Sequence, residues 1–294
     1  MASTQGLAAA ALVLNALVWG LSWWPFRQLD ELGLHPLWAT TLVYAAISVL
    51  LLAVRPRSVA ELLRPSALWV LIAAAGTTNA AFNWAVSIGD VVRVVLLFYL
   101  MPLWAVLLAR VLLHEAVTPR ALLRVALGLL GAVIVLWPEG GASAASTFSA
   151  AFSLSDALAI VGGFSFALNN IMVRREQARS EAARAAAMFI GGALVAGVVG
   201  LALQHTGSVS MPRWEVAADW WPWALGLTAA FLVANLSLQY GASRLPAHRT
   251  AVIMLTEVLF ASVSAVALGA GTLGPALLLG GACILGSAWL AAWD

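Results

Sequence analysis

Residues 87–115 read SIGDVVRVVLLFYLMPLWAVLLARVLLHE and contain an apolar run long enough to cross a lipid bilayer. The run carries Tyr99 and Pro102 near its centre and ends with Arg110 and Glu115. A proline inside a helix removes one backbone hydrogen bond and clashes with the carbonyl group four residues earlier. The stretch therefore predicts a membrane helix that is kinked at its centre.

The composition of the whole chain agrees with a membrane location. Of the 294 residues, 63% are hydrophobic and only 10% are charged, and the mean hydropathy is +0.95. A soluble domain has about 25% charged residues. The chain is predicted to be an all-α integral membrane protein in contact with the lipid bilayer. The pI of about 9.2 does not indicate nucleic-acid binding, because the arginines lie in short loops between apolar runs.

Apolar runs of bilayer-spanning length predict ten transmembrane helices. Their approximate bounds are 6–26, 37–54, 67–88, 91–112, 121–137, 154–173, 184–203, 219–240, 247–269 and 275–293. The longest gap, PEGGASAASTFSAAFS at 138–153, predicts a linker between a first five-helix unit at 1–137 and a second at 154–294.

The arginines predict the orientation of these helices. Only Arg27, Arg93 and Arg213 lie in odd-numbered loops, and the other arginines lie in the even-numbered ones. Because basic residues accumulate in cytoplasmic loops, both termini are predicted to be cytoplasmic.

The two halves share a pattern of polar residues. Asn79 and Asn83, one helical turn apart, are matched at a constant offset by Asn235 and Gln239. Since each half has an odd number of spans, the second copy enters from the opposite side, which predicts an inverted-topology repeat of the kind common in secondary transporters.

The four amides need partners, because an unpaired amide in hydrocarbon costs about 4–8 kcal/mol. They either join helices, at about 0.6 kcal/mol per contact, or line a central polar cavity together with the neighbouring Phe82. The repeat favours the cavity, since it places both pairs at a similar depth.

The aromatic cluster around the proline also has two interpretations. Tyr99 and Met101 flank the predicted kink, so they form either the wall of a pocket hinged at Pro102 or an ordinary packed kink. Trp19 in WGLSWW and Phe164 in GGFSF, each beside a glycine, face either a cavity or the lipid.

Glu257 lies near the middle of the ninth span, where an ionised carboxylate costs about 2.5–3.5 kcal/mol. Three roles remain open for it: proton coupling, binding of a substrate ammonium group, and a structural role as a neutral, hydrogen-bonded acid.

An enzyme is not predicted. The sequence HEAVT is not the zinc motif HExxH, no GxSxG nucleophile turn occurs, and the histidines and the single cysteine have no metal-ligand spacing. No metal and no cofactor are therefore expected.

The run FYLMPLWAVLLARVLLHE, the later GLLGAVIVL and the five-plus-five organisation resemble the EamA repeat of the drug/metabolite transporter superfamily. The second copy departs from the repeat, because Glu257 replaces the usual proline and Ala270 the usual glutamate. Within the superfamily, the Tyr-Leu-x-Pro run is similar to the YddG-type aromatic amino acid exporters. Met101 and Phe164 stand where those exporters carry tryptophan.

The resemblance implies a transporter that exports small metabolites across the bacterial inner membrane, with aromatic or other apolar amino acids as the expected substrate. It implies a cavity lined by Trp19, Phe82, Tyr99, Met101 and other side chains named above. Export of another metabolite or drug is the alternative, and an intramembrane lipid enzyme is a remote one. The sequence predicts neither the energy source nor the oligomeric state.

Overall fold

The computed structural model describes residues 2–56, 61–62, 68–112, 114, 118–136, 152–176, 178–242, 244–245, 250 and 253–291. Within these ranges the protein is helical and contains no β-strand. Most of the predicted linker at 138–153, as well as Glu115 and Arg249, lies outside the described residues.

The described residues contain twelve α-helices, numbered in chain order. They are α1 Ala2–Leu21, α2 Trp23–Glu31, α3 Pro36–Val54, α4 Leu68–Ile88, α5 Val91–Phe98, α6 Met101–Leu112, α7 Pro119–Leu136, α8 Leu154–Arg175, α9 Glu181–His205, α10 Ala217–Ala242, α11 Thr256–Ala267 and α12 Pro275–Ala291. A short 3₁₀ turn, Trp214–Val216, precedes α10.

Helical structure occupies every predicted span, although only some of these helices satisfy the length and hydropathy expected of a membrane span. In the described part of the chain six do so: Thr4–Glu31, Pro36–Val54, Val91–Leu112, Leu154–Val173, Glu181–His205 and Trp214–Ala242. Large apolar side chains such as Val49, Val111 and Val263 are about 70% exposed, as expected for surfaces that face lipid. The protein is a multi-pass membrane protein, and the count of ten spans remains a prediction.

Two of the predicted spans are interrupted near their centres. The fourth is divided into α5 and α6 by a turn at Tyr99 and Leu100, immediately before Pro102. The ninth has a turn at Leu255, immediately before α11. The second interruption contains no proline, so Pro102 by itself does not explain why the chain turns at this depth.

Several helix pairs that correspond in the two predicted halves are in contact in both. Helix α4 packs against α8 and α9, and its counterpart α10 packs against α1 and α3. Helix α8 packs against α5 and α6, which form the fourth span, and its counterpart α1 packs against α11 of the ninth span. The counterpart helices α3 and α9 contact each other, and so do α7 and α12. The halves are therefore interleaved rather than separate.

Glycines allow the closest of these approaches. Gly76 of α4 and Gly191 of α9 lie against each other's helix, and a methyl group on Gly191 would overlap the carbonyl oxygen of Ile72. Across α7 and α12, a methyl group on Gly131 would lie 2.6 Å from the carbonyl oxygen of Gly280. In a bilayer, helices associate through close packing of this kind.

Gly191→Ala is expected to lower the free energy of unfolding by about 1–3 kcal/mol, because the added methyl group must push α4 and α9 apart. Gly226→Ala is the matched control, since a methyl group there meets no atom within 4 Å. Thermal unfolding of both variants in the same detergent checks the prediction. An unchanged melting temperature for Gly191→Ala would contradict the packing described.

His35 begins α3 by accepting a hydrogen bond on Nδ1 from the Leu37 amide, 3.2 Å away, and its ring contacts Trp84 edge-on. Burial lowers the pKa of His35 to about 4, from an ordinary value of 6.5. His35 lies outside the predicted spans, and at neutral pH the folded protein holds its imidazole ring in the neutral form.

Because the unfolded chain binds the His35 proton more readily, the stability that neutral His35 contributes is complete above about pH 6.5 and is lost as the pH falls toward 4. The melting temperature should therefore decrease between pH 7 and pH 5. In His35→Asn, whose side chain also caps a helix, the decrease should be smaller. Equal pH dependence in the two proteins would exclude this role of His35.

Candidate functional site: a central cavity

A cavity of about 550 Å³ lies among the interleaved helices. It is lined by residues from α1, α3, α4, α5, α6, α8, α9 and α10 and by the segment that leads into α11. In α8 and α10 the lining residues lie in the C-terminal half, and in α9 and α11 they lie near the start of the helix. The cavity therefore extends from the middle of the bundle toward one end.

Aromatic side chains form two groups on the cavity wall. In the first, Phe98 is 4.7 Å from Phe82, 5.5 Å from Phe166 and 6.2 Å from Tyr99, measured between ring centroids. In the second, Phe231 stacks on Trp19 at 4.6 Å and contacts Tyr44 at 5.8 Å, and Tyr44 contacts Phe189 at 5.7 Å. Aromatic rings at these distances are favourably packed.

Several amides also face the cavity. The Tyr44 hydroxyl donates to Asn79 Oδ1 at 2.6 Å, and Asn79 Nδ2 donates to the carbonyl oxygen of Ala75. Asn235 Oδ1 accepts a hydrogen bond from Gln239 Nε2 at 2.7 Å. These bonds satisfy amide groups that would otherwise be costly within a membrane.

Two further asparagines on the wall are incompletely bonded. Asn15 Nδ2 donates to the carbonyl oxygen of Ala234 at 2.7 Å, and Asn169 Nδ2 donates to Asn170 Oδ1 at 3.4 Å. The Oδ1 atoms of Asn15 and Asn169 are buried and have no hydrogen-bond partner among the described residues. Unpaired buried acceptors are rare, and the partial negative charge of these two oxygens lies beside the cavity.

Glu257 lies at the cavity wall beside Tyr99. The Tyr99 hydroxyl is 3.1 Å from Glu257 Oε2 and 3.4 Å from the carbonyl oxygen of Met254. These two hydrogen bonds of the Tyr99 hydroxyl join the two interrupted spans. Tyr99 lies at the turn between α5 and α6, and Met254 lies next to the turn at Leu255 that precedes α11. The interruptions thus bring a phenol and a carboxyl group together at mid-span.

Seven of the ten predicted site residues share this cavity: Trp19, Asn79, Phe82, Tyr99, Met101, Asn235 and Glu257. Three others lie elsewhere. Asn83 is buried and donates a hydrogen bond to Thr40 Oγ1 at 3.0 Å. The Gln239 side chain is exposed outside the cavity, one helical turn beyond Asn235. Phe164 is 37% exposed, and its ring contacts Trp104 edge-on. For Asn83 the alternative interpretation, an interhelical contact, describes the structure better. Pro102 lies in the first turn of α6.

The sequence interpretation missed several lining residues, including Asn15, Tyr44, Phe166, Asn169, Phe189 and Phe231. Asn15 and Asn169 could have been found as lone amides within apolar spans. The aromatic residues have no such signal, because an aromatic side chain in a membrane helix faces lipid as readily as it faces a cavity.

The end of the bundle opposite the cavity is joined by polar contacts between the halves, and it is called the bridged end here. Arg93 binds Asp156 through two hydrogen bonds of 2.7 and 2.9 Å, and Asp156 is only 1% exposed. Asp90 begins α5 and accepts a hydrogen bond from the Thr272 amide at 2.9 Å. At the same end, but within the first half, Arg27 donates to the carbonyl oxygens of Val86 and Gly89.

The described residues contain no group of three metal-ligating side chains. The cavity wall instead offers hydrogen bonds, aromatic faces and one carboxyl group. It is suited to holding a small organic molecule.

Comparisons with known proteins find one family that resembles the first half of the chain. Residues 6–137 match the EamA-like transporter family. A solved structure, described only as the crystal structure of a protein, is 21% identical, with 97% of this chain and 96% of that chain covered and a TM-score of 0.57. That likeness shows the fold alone. No curated protein matches the chain.

Asp156→Asn is expected to lower the free energy of unfolding by about 1–3 kcal/mol, because the charge that pairs with Arg93 is removed. Asp219→Asn, an exposed residue in the first turn of α10, should cost about 1 kcal/mol or less. Melting temperatures measured side by side provide the check. Equal effects of the two substitutions would show that the Arg93–Asp156 pair does not hold the bridged end together.

Proposed function

We propose that the protein is a secondary transporter that exports small hydrophobic and aromatic amino acids across the bacterial inner membrane by alternating access. The observation that carries this proposal is the cavity at mid-span, whose wall combines aromatic faces with amide and carboxyl groups. Its volume of about 550 Å³ lies within the range of about 300–1,000 Å³ that is typical of small-molecule sites.

An aromatic amino acid is chemically complementary to this wall. Its ring would pack between the groups around Phe98 and Phe231, where aromatic pairs are favourable. Its charged head needs hydrogen bonds, which the amides and Glu257 offer on the same wall. A purely apolar ligand would leave the second carboxyl oxygen of Glu257 without a donor.

The exchange of helix pairs between the halves supports an inverted repeat. Spans related by the repeat make equivalent contacts, and both interrupted spans turn at corresponding positions, Leu100 and Leu255. In transporters of this class, substrates bind near the midplane beside interrupted helices, and one repeat rocks against the other. In this mechanism Pro102 and the turn at Leu255 would act as hinges.

The orientation predicted from the arginines fits export. It places the bridged end on the outer side of the membrane and the cavity toward the cytoplasm, from which a substrate would be loaded. Release would then require the contacts of Arg93 and Asp90 with the second half to open.

Counterflow in proteoliposomes tests the proposal. Proteoliposomes that contain the purified protein would be loaded with unlabelled phenylalanine, tryptophan, threonine or methionine. The uptake of the same amino acid in labelled form from outside would then be measured. Saturable exchange that favours the aromatic substrates is expected. Exchange of none of these amino acids would contradict the proposal and favour another metabolite or a drug.

Two phenylalanines on α8 provide a matched pair for locating the site. Phe166→Ala should reduce exchange about tenfold, since Phe166 lines the cavity and a lost ring contact of about 1.4 kcal/mol corresponds to that factor. Phe164→Ala should leave exchange unchanged, because Phe164 lies outside the cavity. Equal losses in both variants, with both inserted and folded, would place the transport site elsewhere.

A further inference from the structure

We propose that the cavity recognises its substrate mainly through a primary ammonium group, which binds at Tyr99 and Glu257, so that a carboxylate on the substrate is dispensable. This inference rests on the proposed transport function for its physiological meaning. It goes beyond that function by naming the substrate class that the site selects: aromatic compounds that carry an ammonium group, whether or not they are amino acids.

The free hydrogen-bonding capacity at Tyr99 and Glu257 is that of acceptors. Glu257 Oε2 accepts a hydrogen bond from the Tyr99 hydroxyl at 3.1 Å. In the described part of the chain this is the single hydrogen bond of the Glu257 side chain. Glu257 Oε1 therefore stays available at the cavity wall. An ammonium group has three donors and a positive charge, which is the counterpart that a mid-span carboxylate requires.

In the described ranges, two unpaired amide oxygens beside the wall are acceptors too, and the unpaired Thr250 hydroxyl can accept as well as donate. The Oδ1 atoms of Asn15 and Asn169 face no donor among the described residues, and their side chains are 1% and 2% exposed. For Asn15 the amide nitrogen is already used on the carbonyl oxygen of Ala234. The partial negative charge of these unpaired oxygens beside the cavity favours a cation in it over a carboxylate.

Positive charge is absent from the described residues that line the cavity. Arg93 and Arg27 lie at the bridged end, where Asp156 and backbone carbonyl oxygens bind them. A substrate carboxylate could therefore bind only neutral amide and hydroxyl donors in the described wall. The ammonium end can pair with an opposite charge at Glu257 whereas the carboxylate end cannot, so the ammonium end should dominate recognition.

Aromatic faces near Glu257 add to this preference. Tyr99 contacts Phe98, and Phe98 contacts Phe82 and Phe166, so a cluster of rings extends along the wall from the Tyr99–Glu257 pair. A cation over the face of an aromatic ring is attracted by the ring, and an anion is not. The same rings hold the apolar part of the substrate.

Three ligands with one aromatic ring separate the two charged ends: phenylalanine, phenylethylamine without the carboxylate, and 3-phenylpropionate without the ammonium group. Each would be tested as a competitor of labelled amino acid exchange in proteoliposomes and as a stabiliser of the purified protein in a thermal shift assay. Phenylethylamine should compete within about threefold of phenylalanine, and 3-phenylpropionate at least tenfold more weakly. Only the first two should raise the melting temperature.

Glu257→Gln tests the residue assignment, because glutamine still accepts a hydrogen bond from Tyr99 but has no charge. The variant should bind phenylethylamine at least tenfold more weakly and lose the discrimination against 3-phenylpropionate. Glu215→Gln, an exposed residue of the 3₁₀ turn, is the matched control and should behave like the wild type. If Glu257→Gln does not fold, the wild-type ligand comparison decides by itself.

The outcomes separate the two proposals. Amino acid exchange without binding of phenylethylamine, or equal binding of phenylethylamine and 3-phenylpropionate, would overturn the ammonium inference and leave the proposed transport function standing. Stabilisation by phenylethylamine without exchange of any amino acid would overturn amino acid export and support the ammonium site. Unchanged discrimination in a folded Glu257→Gln would overturn the role given to Glu257, and binding of none of the three ligands would overturn the inference.

Discussion

Backbone hydrogen bonding within a bilayer is the constraint on which this structure depends. The hydrocarbon offers no partner to an N–H or C=O group, so a membrane helix can be interrupted only where protein or water satisfies the freed groups. The fourth span is interrupted at Tyr99 and Leu100, and the ninth at Leu255. Both turns lie at the wall of the cavity, and there the interrupted backbone is surrounded by protein.

The helices that cover these interruptions carry glycine at the contact. A methyl group on Gly163 of α8 would lie 2.5 Å from the carbonyl oxygen of Phe98, which has lost its usual donor because residue 102 is proline. A methyl group on Gly20 of α1 would lie 2.8 Å from the carbonyl oxygen of Glu257. The corresponding glycines of the two halves thus allow α8 and α1 to pack directly on the interrupted spans, and the cavity forms beside them.

Tyr99 illustrates how much of the site the sequence predicts. Its place at mid-span beside a proline indicates a break in the helix, and Glu257 is recognisable as costly in hydrocarbon, but the sequence does not show that the two side chains are in contact. Asn83 and Gln239 illustrate the opposite case. They repeat the spacing of cavity residues, yet one is bonded to Thr40 and the other is exposed, because a repeat specifies depth along a helix and not the direction of every side chain.

By itself the sequence determined the membrane class, the approximate helix bounds and a resemblance to the EamA repeat, because hydrophobic run length and residue spacing are local properties. Only the tertiary structure decided which faces meet: the interleaving of the halves, the pairing of Arg93 with Asp156, and the choice between Phe164 and Phe166 for the cavity wall. These two phenylalanines are two residues apart on α8 and chemically identical. Their different positions follow from the rotation of the helix against its neighbours, which depends on contacts distant in the chain.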